Sequence, residues 1–197
     1  MTAASKQAAL ACTAIFPNTT MSATLVNELE RMAHALDSDP SASARFSMGA
    51  LAERISHNLG VKPDEVAILA VSHRWRHLYF LLPEALKNVG HVPLSSPVAI
   101  AARTVRESRP EIDNNFHETR HVNIFESIKA ESLDGQAIQK IISAPILVGS
   151  KVVGVLQVSR KGDSPKIAGP DFTSDDLGRV LALCKPLGEI LQRLCPQ

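Results

Sequence analysis

The chain has 197 residues, a hydrophobic fraction of 45%, a charged fraction of 21% and a net charge of +1. That length gives one domain a full core with material to spare at an end, and the composition is that of an ordinary globular protein rather than a disordered, fibrous or membrane-spanning one. A charge so near zero supplies no field for a nucleic-acid backbone. The three cysteines, Cys12, Cys184 and Cys195, are scattered and include no C-x-x-C. They do not form a disulfide framework, and a reducing cytoplasm is the simpler home. The opening "MTAASKQAALACTAIFP" has too few large apolar residues for a signal peptide or a lipoprotein cleavage site.

Residues 1–20 are small and polar and read as a mobile arm or a short helix. Leu25, Leu29, Met32 and Leu36 then recur at helical spacing, with Ser22 as N-cap and Pro40 beyond the end. Residues 1–40 are therefore set apart as an arm and helix, and 41–197 as the domain proper. Nothing in the sequence reserves a sheet for the first helix. Its stripe, with a second one at Leu177, Val180, Cys184, Leu187, Leu191 and Leu194, predicts a homodimer joined by end helices; the alternative is a helix folded back on its own domain. A second helix places Met48, Leu51, Ala52, Ile55 and Leu59 on one face and stops at Gly60.

From Glu65 the period changes. "EVAILAVSH" and "WRHLYFLLP" predict a hairpin turning at His73 and Arg74, with Trp75, His77 and Tyr79 on one face and Arg76, Leu78 and Phe80 on the other. "HVPLSS" is a third strand. Ser96-Pro97 predicts the start of a helix ending before Pro110, whose Arg103, Arg106 and Arg109 form a solvated face. Residues 110–137 are polar and poorly periodic, with one short helix over 123–129. "AIQKIISAPILVGSKVVGVLQVSRK" predicts two strands around Gly149-Ser150, with Pro145 at an edge or bulge. Thr173 and Asp176 form a capping box for the last helix, in which Pro186 predicts a kink or break. Hairpins joined this way give an α+β domain with one antiparallel sheet and helices packed on it.

Within the polar stretch, His117-Glu118-Thr119-Arg120-His121 spells H-E-x-x-H. In a zinc hydrolase the two histidines sit one turn apart on a long helix, so that both reach one metal. Here the flanks are "EIDNNF" and "VNIF", with turn-forming Asn114 and Asn115 and no apolar stripe. The expectation is that no metal is bound and no catalysis occurs, with the zinc hydrolase kept as an alternative. The same residues read as an exposed polar loop or as one wall of a ligand site. Asn115, Phe116, His117, Arg120 and His121 combine donors and charge with apolar surface, as small-molecule sites do. The cationic, aromatic hairpin tip around Trp75 is a second candidate contact surface.

"KIISAPILVGSKVVGVLQVSRKG" followed by "DFTSDDLGRVLALC", together with "SSPVAIAARTVRESRPEIDNNF", resembles the GAF domain family over roughly residues 43–194. The resemblance implies a six-stranded antiparallel sheet with helices on one face and a small-molecule pocket on the other, walled by the central loop. It also implies a regulatory domain that passes a signal through its terminal helices. Lys161, Phe172 and Asp176 match the pattern of cyclic-nucleotide-binding members, whereas Arg160 and Leu177 depart from it. The family's methionine sulfoxide reductases and bilin binders use a pocket cysteine, which the arm and last-helix positions of the cysteines here do not provide. The expectation is a non-enzymatic, ligand-sensing domain with no cofactor, an unknown small-molecule ligand and a homodimeric state. The alternative is a dimeric structural or interaction protein with a vestigial pocket.

Overall fold

The computed structural model describes residues 18–39, 47–88, 90–118 and 136–195, with side chains from Ala23 onward. Helices α1 (Asn18–Ser38) and α2 (Met48–Leu59) precede strands β1 (Val66–Ser72), β2 (His77–Leu82) and β3 (His91–Pro93). Helix α3 (Ile100–Glu107) leads to β4 (Glu111–Asp113), then β5 (Ile138–Val148), β6 (Lys151–Lys161) and helix α4 (Ser174–Leu194). The six strands form one antiparallel sheet in the order β3-β2-β1-β6-β5-β4.

Alternation along the strands divides the core in two. Val66, Ile68, Ile142, Ile146, Leu156 and Val158 meet α1, α2 and α4 on one face. Ala67, Leu69, Phe80 and Val155 face the other way, against Ala101 and Ala102 of α3. The expected single sheet is present, but its second face is roofed by a helix of its own.

Helix α2 begins at Ser47, whose hydroxyl accepts from the Ala50 N–H, and ends at Gly60 in the left-handed region, φ 65°. Helix α4 is held by the expected box: Asp176 N–H donates to Thr173 Oγ1 at 3.2 Å and Thr173 N–H to Asp176 Oδ2 at 2.8 Å. Such a cap is worth about 1 kcal/mol. Pro186 does not break α4, which is helical through Leu194. Pro186 is buried with Leu183, Cys184 and Leu187, and packing against β5 and α1 holds the turn that loses its hydrogen bond.

Helix α1 folds back on α4. Leu25, Leu29, Ala33 and Leu36 are buried within the chain. Arg193 binds both carboxylate oxygens of Asp37 and holds that carboxyl below the usual aspartate range; Arg54 reaches Glu28. The stripe that motivated a helix-joined dimer is thus covered by its own domain. Two helix starts also differ from the sequence reading. Helix α1 begins at Asn18, before Ser22. Helix α3 begins at Ile100, because Ser96 Oγ accepts from Ala99 N–H in a preceding turn rather than capping the helix itself. Pro145 pairs with Val155 and lies past the end of three-residue β4, so its missing N–H faces a local edge, and an irregularity follows at Ile146. Trp75 and Arg76 lie in the turn between β1 and β2 rather than in a strand.

Candidate functional site

The β5–β6 hairpin is apolar for most of its length, but Ser143 and Gln157 stand directly opposite each other in it. Both face the side covered by α3, and α3 places Thr104 above them. Thr104, Ser143 and Gln157 are 1%, 0% and 4% exposed. Thr104 Oγ1 lies 2.9 Å from the Ile100 carbonyl and 2.7 Å from Ser143 Oγ; Gln157 Nε2 lies 3.3 Å from Ser143 Oγ. Proton counting fixes the direction. The Thr104 hydroxyl donates to the carbonyl, so Ser143 must donate to Thr104 and accept from Gln157. The result is a buried, one-way relay of two hydroxyls and a carboxamide, in a place where the opposite face uses only aliphatic side chains.

Beside this relay, β4 pairs Glu111 with Ser143 and Asp113 with Ile141. Arg103 of α3 grips both oxygens of Glu111, through Nε to Oε2 at 3.0 Å and through Nη2 to Oε1. Arg106 donates to the Leu94 and Ser96 carbonyls, and Arg109 reaches Glu107. The arginine face of α3 therefore serves partly as a set of structural ties.

Immediately after β4, Asn114 makes a reciprocal pair with the backbone of Phe172: Nδ2 donates to the carbonyl at 3.0 Å, and Oδ1 accepts from the N–H at 2.9 Å. Asp113 Oδ1 accepts from Asn115 N–H at 2.9 Å, which turns the chain into a short 3₁₀ helix, Phe116–Glu118, lying against β5. The sequence-predicted Asn115, Phe116 and His117 thus follow the strand that borders the relay. Arg120 and His121 lie outside the described residues, as does the helix expected over 123–129. His117 and Glu118 belong to a 3₁₀ turn, with His117 Nε2 3.7 Å from Glu118 Oε1, and the motif's second histidine, His121, lies outside the described residues. Among the described residues no group of three His, Cys, Asp or Glu side chains could hold a metal ion.

The positions shared with cyclic-nucleotide binders have structural work. Lys161 Nζ bonds Asp64 Oδ2 at 2.7 Å and the Asp64 carbonyl at 2.6 Å. Glu65 accepts from the Lys62 and Lys161 N–H groups. Phe172 is buried under the Arg160 guanidinium, 4.8 Å from its ring centre, and Asp176 caps α4. Lys140, buried in β5, bonds the Gly169 carbonyl at 2.6 Å and Asp171 at 2.7 Å, which fastens the loop before α4. Cys184 lies on the buried face of α4, where its thiol donates to the Val180 carbonyl and burial pushes its pKa up to about 12. Cys195 ends α4, next to Tyr79. Neither is near the relay face.

An antiparallel six-stranded sheet, a helical layer on one side and a single helix over a polar centre on the other define an α+β single-sheet domain. The family model for the GAF domain matches residues 48–191, and the chain belongs to that family. A comparison with curated proteins gives no match. Solved structures share the fold at low identity. The GAF domain of a phosphoenolpyruvate-protein phosphotransferase from Coxiella burnetii superposes with a TM-score of 0.64 at 10% identity, over 90% of this chain and 96% of that one. Its counterpart from Acinetobacter gives 0.60 at 15%, over 90% and 94%. A free methionine-R-sulfoxide reductase from Neisseria meningitidis, in complex with its substrate, gives 0.59 at 16%, over 94% and 96%. Helix α1 precedes the matched span. Among the described residues no helix is long and apolar enough to cross a membrane.

Proposed function

We propose that this chain is a small-molecule-sensing regulatory domain of a signalling system, acting without chemistry of its own. The observation that carries the reading is the Thr104–Ser143–Gln157 relay. Burying three polar side chains costs free energy that an aliphatic core avoids, and they are tolerable only while hydrogen-bonded. Such a group can exchange an internal partner for a ligand donor or acceptor at little net cost. Asn115, Phe116 and His117 follow β4, whose Glu111 pairs with Ser143, and with Arg120 and His121 further along the sequence we assign them the ligand-facing loop. The ligand is a small polar molecule with hydrogen-bonding capacity on more than one side.

The described cysteines are poorly placed for covalent chemistry. A thiol at a pKa of about 12 is not a nucleophile at neutral pH, and neither Cys184 nor Cys195 faces the relay. Both are free thiols, which fits a reducing cytoplasm. A second reading, an interaction protein with a filled site, has one observation in its favour: the relay closes on its own side chains. The sequence-based homodimer has lost the α1 stripe as its seam, and light scattering of the full-length protein decides the oligomeric state.

Native mass spectrometry of the purified protein against a metabolite mixture, followed by thermal shift with each hit, tests the reading. A hit whose thermal shift disappears in Ser143→Ala and Gln157→Leu supports it. No hit, or a hit unaffected by those changes and by His117→Ala, Arg120→Ala and His121→Ala, favours the filled-site protein. Elemental analysis of protein made without a chelating tag addresses the zinc alternative: stoichiometric zinc lost in His117→Ala would replace the sensory reading.

A further inference from the structure

We propose that the end of the sheet bearing the β1–β2 hairpin tip is a docking surface for an acidic segment of a partner protein, independently of the ligand site. Trp75, the chain's only tryptophan, is 67% exposed there, and the Arg74 guanidinium lies 5.1 Å from the centre of its ring. The tip is held rigidly. Trp75 N–H donates to Ser72 Oγ at 3.4 Å, His73 Nε2 donates to the Val152 carbonyl at 3.2 Å, and the Arg76 carbonyl accepts from Leu94 N–H at 3.0 Å. Arg76 is committed to the left-handed region, φ 53°. The large ring is therefore presented to solvent by a fixed turn, so little ordering cost remains to be met on contact.

The charge around the ring has one sign. Arg74 and Arg76 lie in the turn, and Lys151 opens β6 beside Val152, to which the turn is tied through His73. Residues 66–83 and 138–161, which make both central hairpins, contain no Asp or Glu. Among the described residues no carboxylate forms an ion pair with Arg74, Arg76 or Lys151. Elsewhere, Arg54, Arg103, Arg179 and Arg193 each have an acidic partner. Tryptophan and arginine are the residues most enriched at interface hot spots, and an unneutralised cationic rim selects an acidic counterpart. A few cations around one ring on a chain of net charge +1 do not make the basic groove that tracks a nucleic-acid backbone, so the complement is protein.

Because Trp75 is the sole tryptophan, its emission reports on this site alone. The probe is a short capped peptide of Asp and Glu around one central leucine, with its Asn/Gln counterpart as control. The acidic peptide is expected to change Trp75 emission saturably, with affinity falling as salt rises. Arg74→Ala and Arg76→Asn should each weaken binding by roughly ten-fold, and Lys166→Ala, on the loop after β6, should not. Asn at position 76 keeps a residue that tolerates positive φ, and circular dichroism checks that each variant is folded. An unresponsive Trp75, equal binding of the Asn/Gln peptide, or variants that bind like the parent would overturn the proposal. So would tighter binding of a short oligothymidylate through the same residues, which would make the surface a nucleic-acid site. Self-association lost in Trp75→Ala would make the occupant a second copy and equally overturn it.

Discussion

Glycines 178 and 188 lie on the same helix, and the same substitution should move stability in opposite directions at the two positions. At Gly178, which is solvent-exposed, an added methyl group meets nothing within 4 Å. At buried Gly188 it would lie 2.5 Å from the Leu147 carbonyl oxygen and 3.3 Å from a methyl of Val148. Both changes gain about 1 kcal/mol of helix propensity. Only the second must push α4 away from β5, against backbone that cannot swing aside, at a typical overpacking cost of about 1–3 kcal/mol. Gly178→Ala should therefore be stabilised by about 0.5–1 kcal/mol, and Gly188→Ala should fall below it by roughly 1–3 kcal/mol. In a chain of this size that is a separation of about 2–12 °C in Tm. Thermal melts followed by circular dichroism, with urea titrations to confirm the order, measure it. A Gly188→Ala protein that melts at or above Gly178→Ala would refute the backbone-to-backbone seating of α4 on the sheet.

Further outcomes follow from the local chemistry. Burial raises the Asp176 pKa, but the Thr173 N–H and hydroxyl and the Arg179 guanidinium outweigh it and hold the carboxyl below the usual aspartate range. Its stabilisation is thus present above the unfolded-state pKa and lost as pH falls through the folded-state value. Asp176→Asn should lower Tm at neutral pH, with the gap from the parent closing in strong acid; a gap constant with pH would contradict the carboxylate's role. Asn114→Ala removes both bonds to Phe172 and should cost about 1–3 kcal/mol in urea unfolding, whereas an unchanged midpoint would dissolve the link. Cys184, with its thiol pushed up to about 12 by burial, stabilises the fold below the unfolded-state pKa and ceases to as pH rises toward the folded value. In a Cys12→Ser background, a disulfide reagent at neutral pH should modify Cys195 first and Cys184 only at the unfolding rate; equal rates would place Cys184 at the surface.

Local signals made much of the fold legible. Gly60 stopped α2, Thr173 and Asp176 started α4, and the two long hairpins followed from their apolar runs and from Gly149-Ser150. What escaped was decided by tertiary contact. Strand β4 has three residues and no pattern of its own; it exists because Glu111–Asp113 pairs with Ser143–Ile141. Pro186 is tolerated because neighbouring buried residues hold the helix around it. The α1 stripe looked unpartnered because the face of α4 that receives it lies far away in sequence. The relay left a faint trace, a serine and a glutamine in otherwise apolar strands, but only the register that sets Ser143 opposite Gln157, and α3 bringing Thr104, makes them one feature. Of the predicted site loop, Asn115, Phe116 and His117 are seen beside β4, and the neighbouring Asn114 acts as a tether rather than as a turn former alone.

The strand order also constrains how the chain can be made. Strands β1 to β4 come from the first part of the sequence, yet β1 and β4 do not touch; the β5–β6 hairpin is seated between them, with Val66 meeting Val158 and Ile112 meeting Ile142. During synthesis the inner edge of β1, lined with Val66, Ile68 and Ala70, stands open until the last hairpin emerges. An open apolar edge of that kind recruits whatever strand is nearest. Filling it requires a long loop closure, and contacts of that kind slow folding. The carboxylate-free hairpin that completes the sheet is thus the segment whose late arrival governs whether a nascent chain closes on itself or on its neighbour.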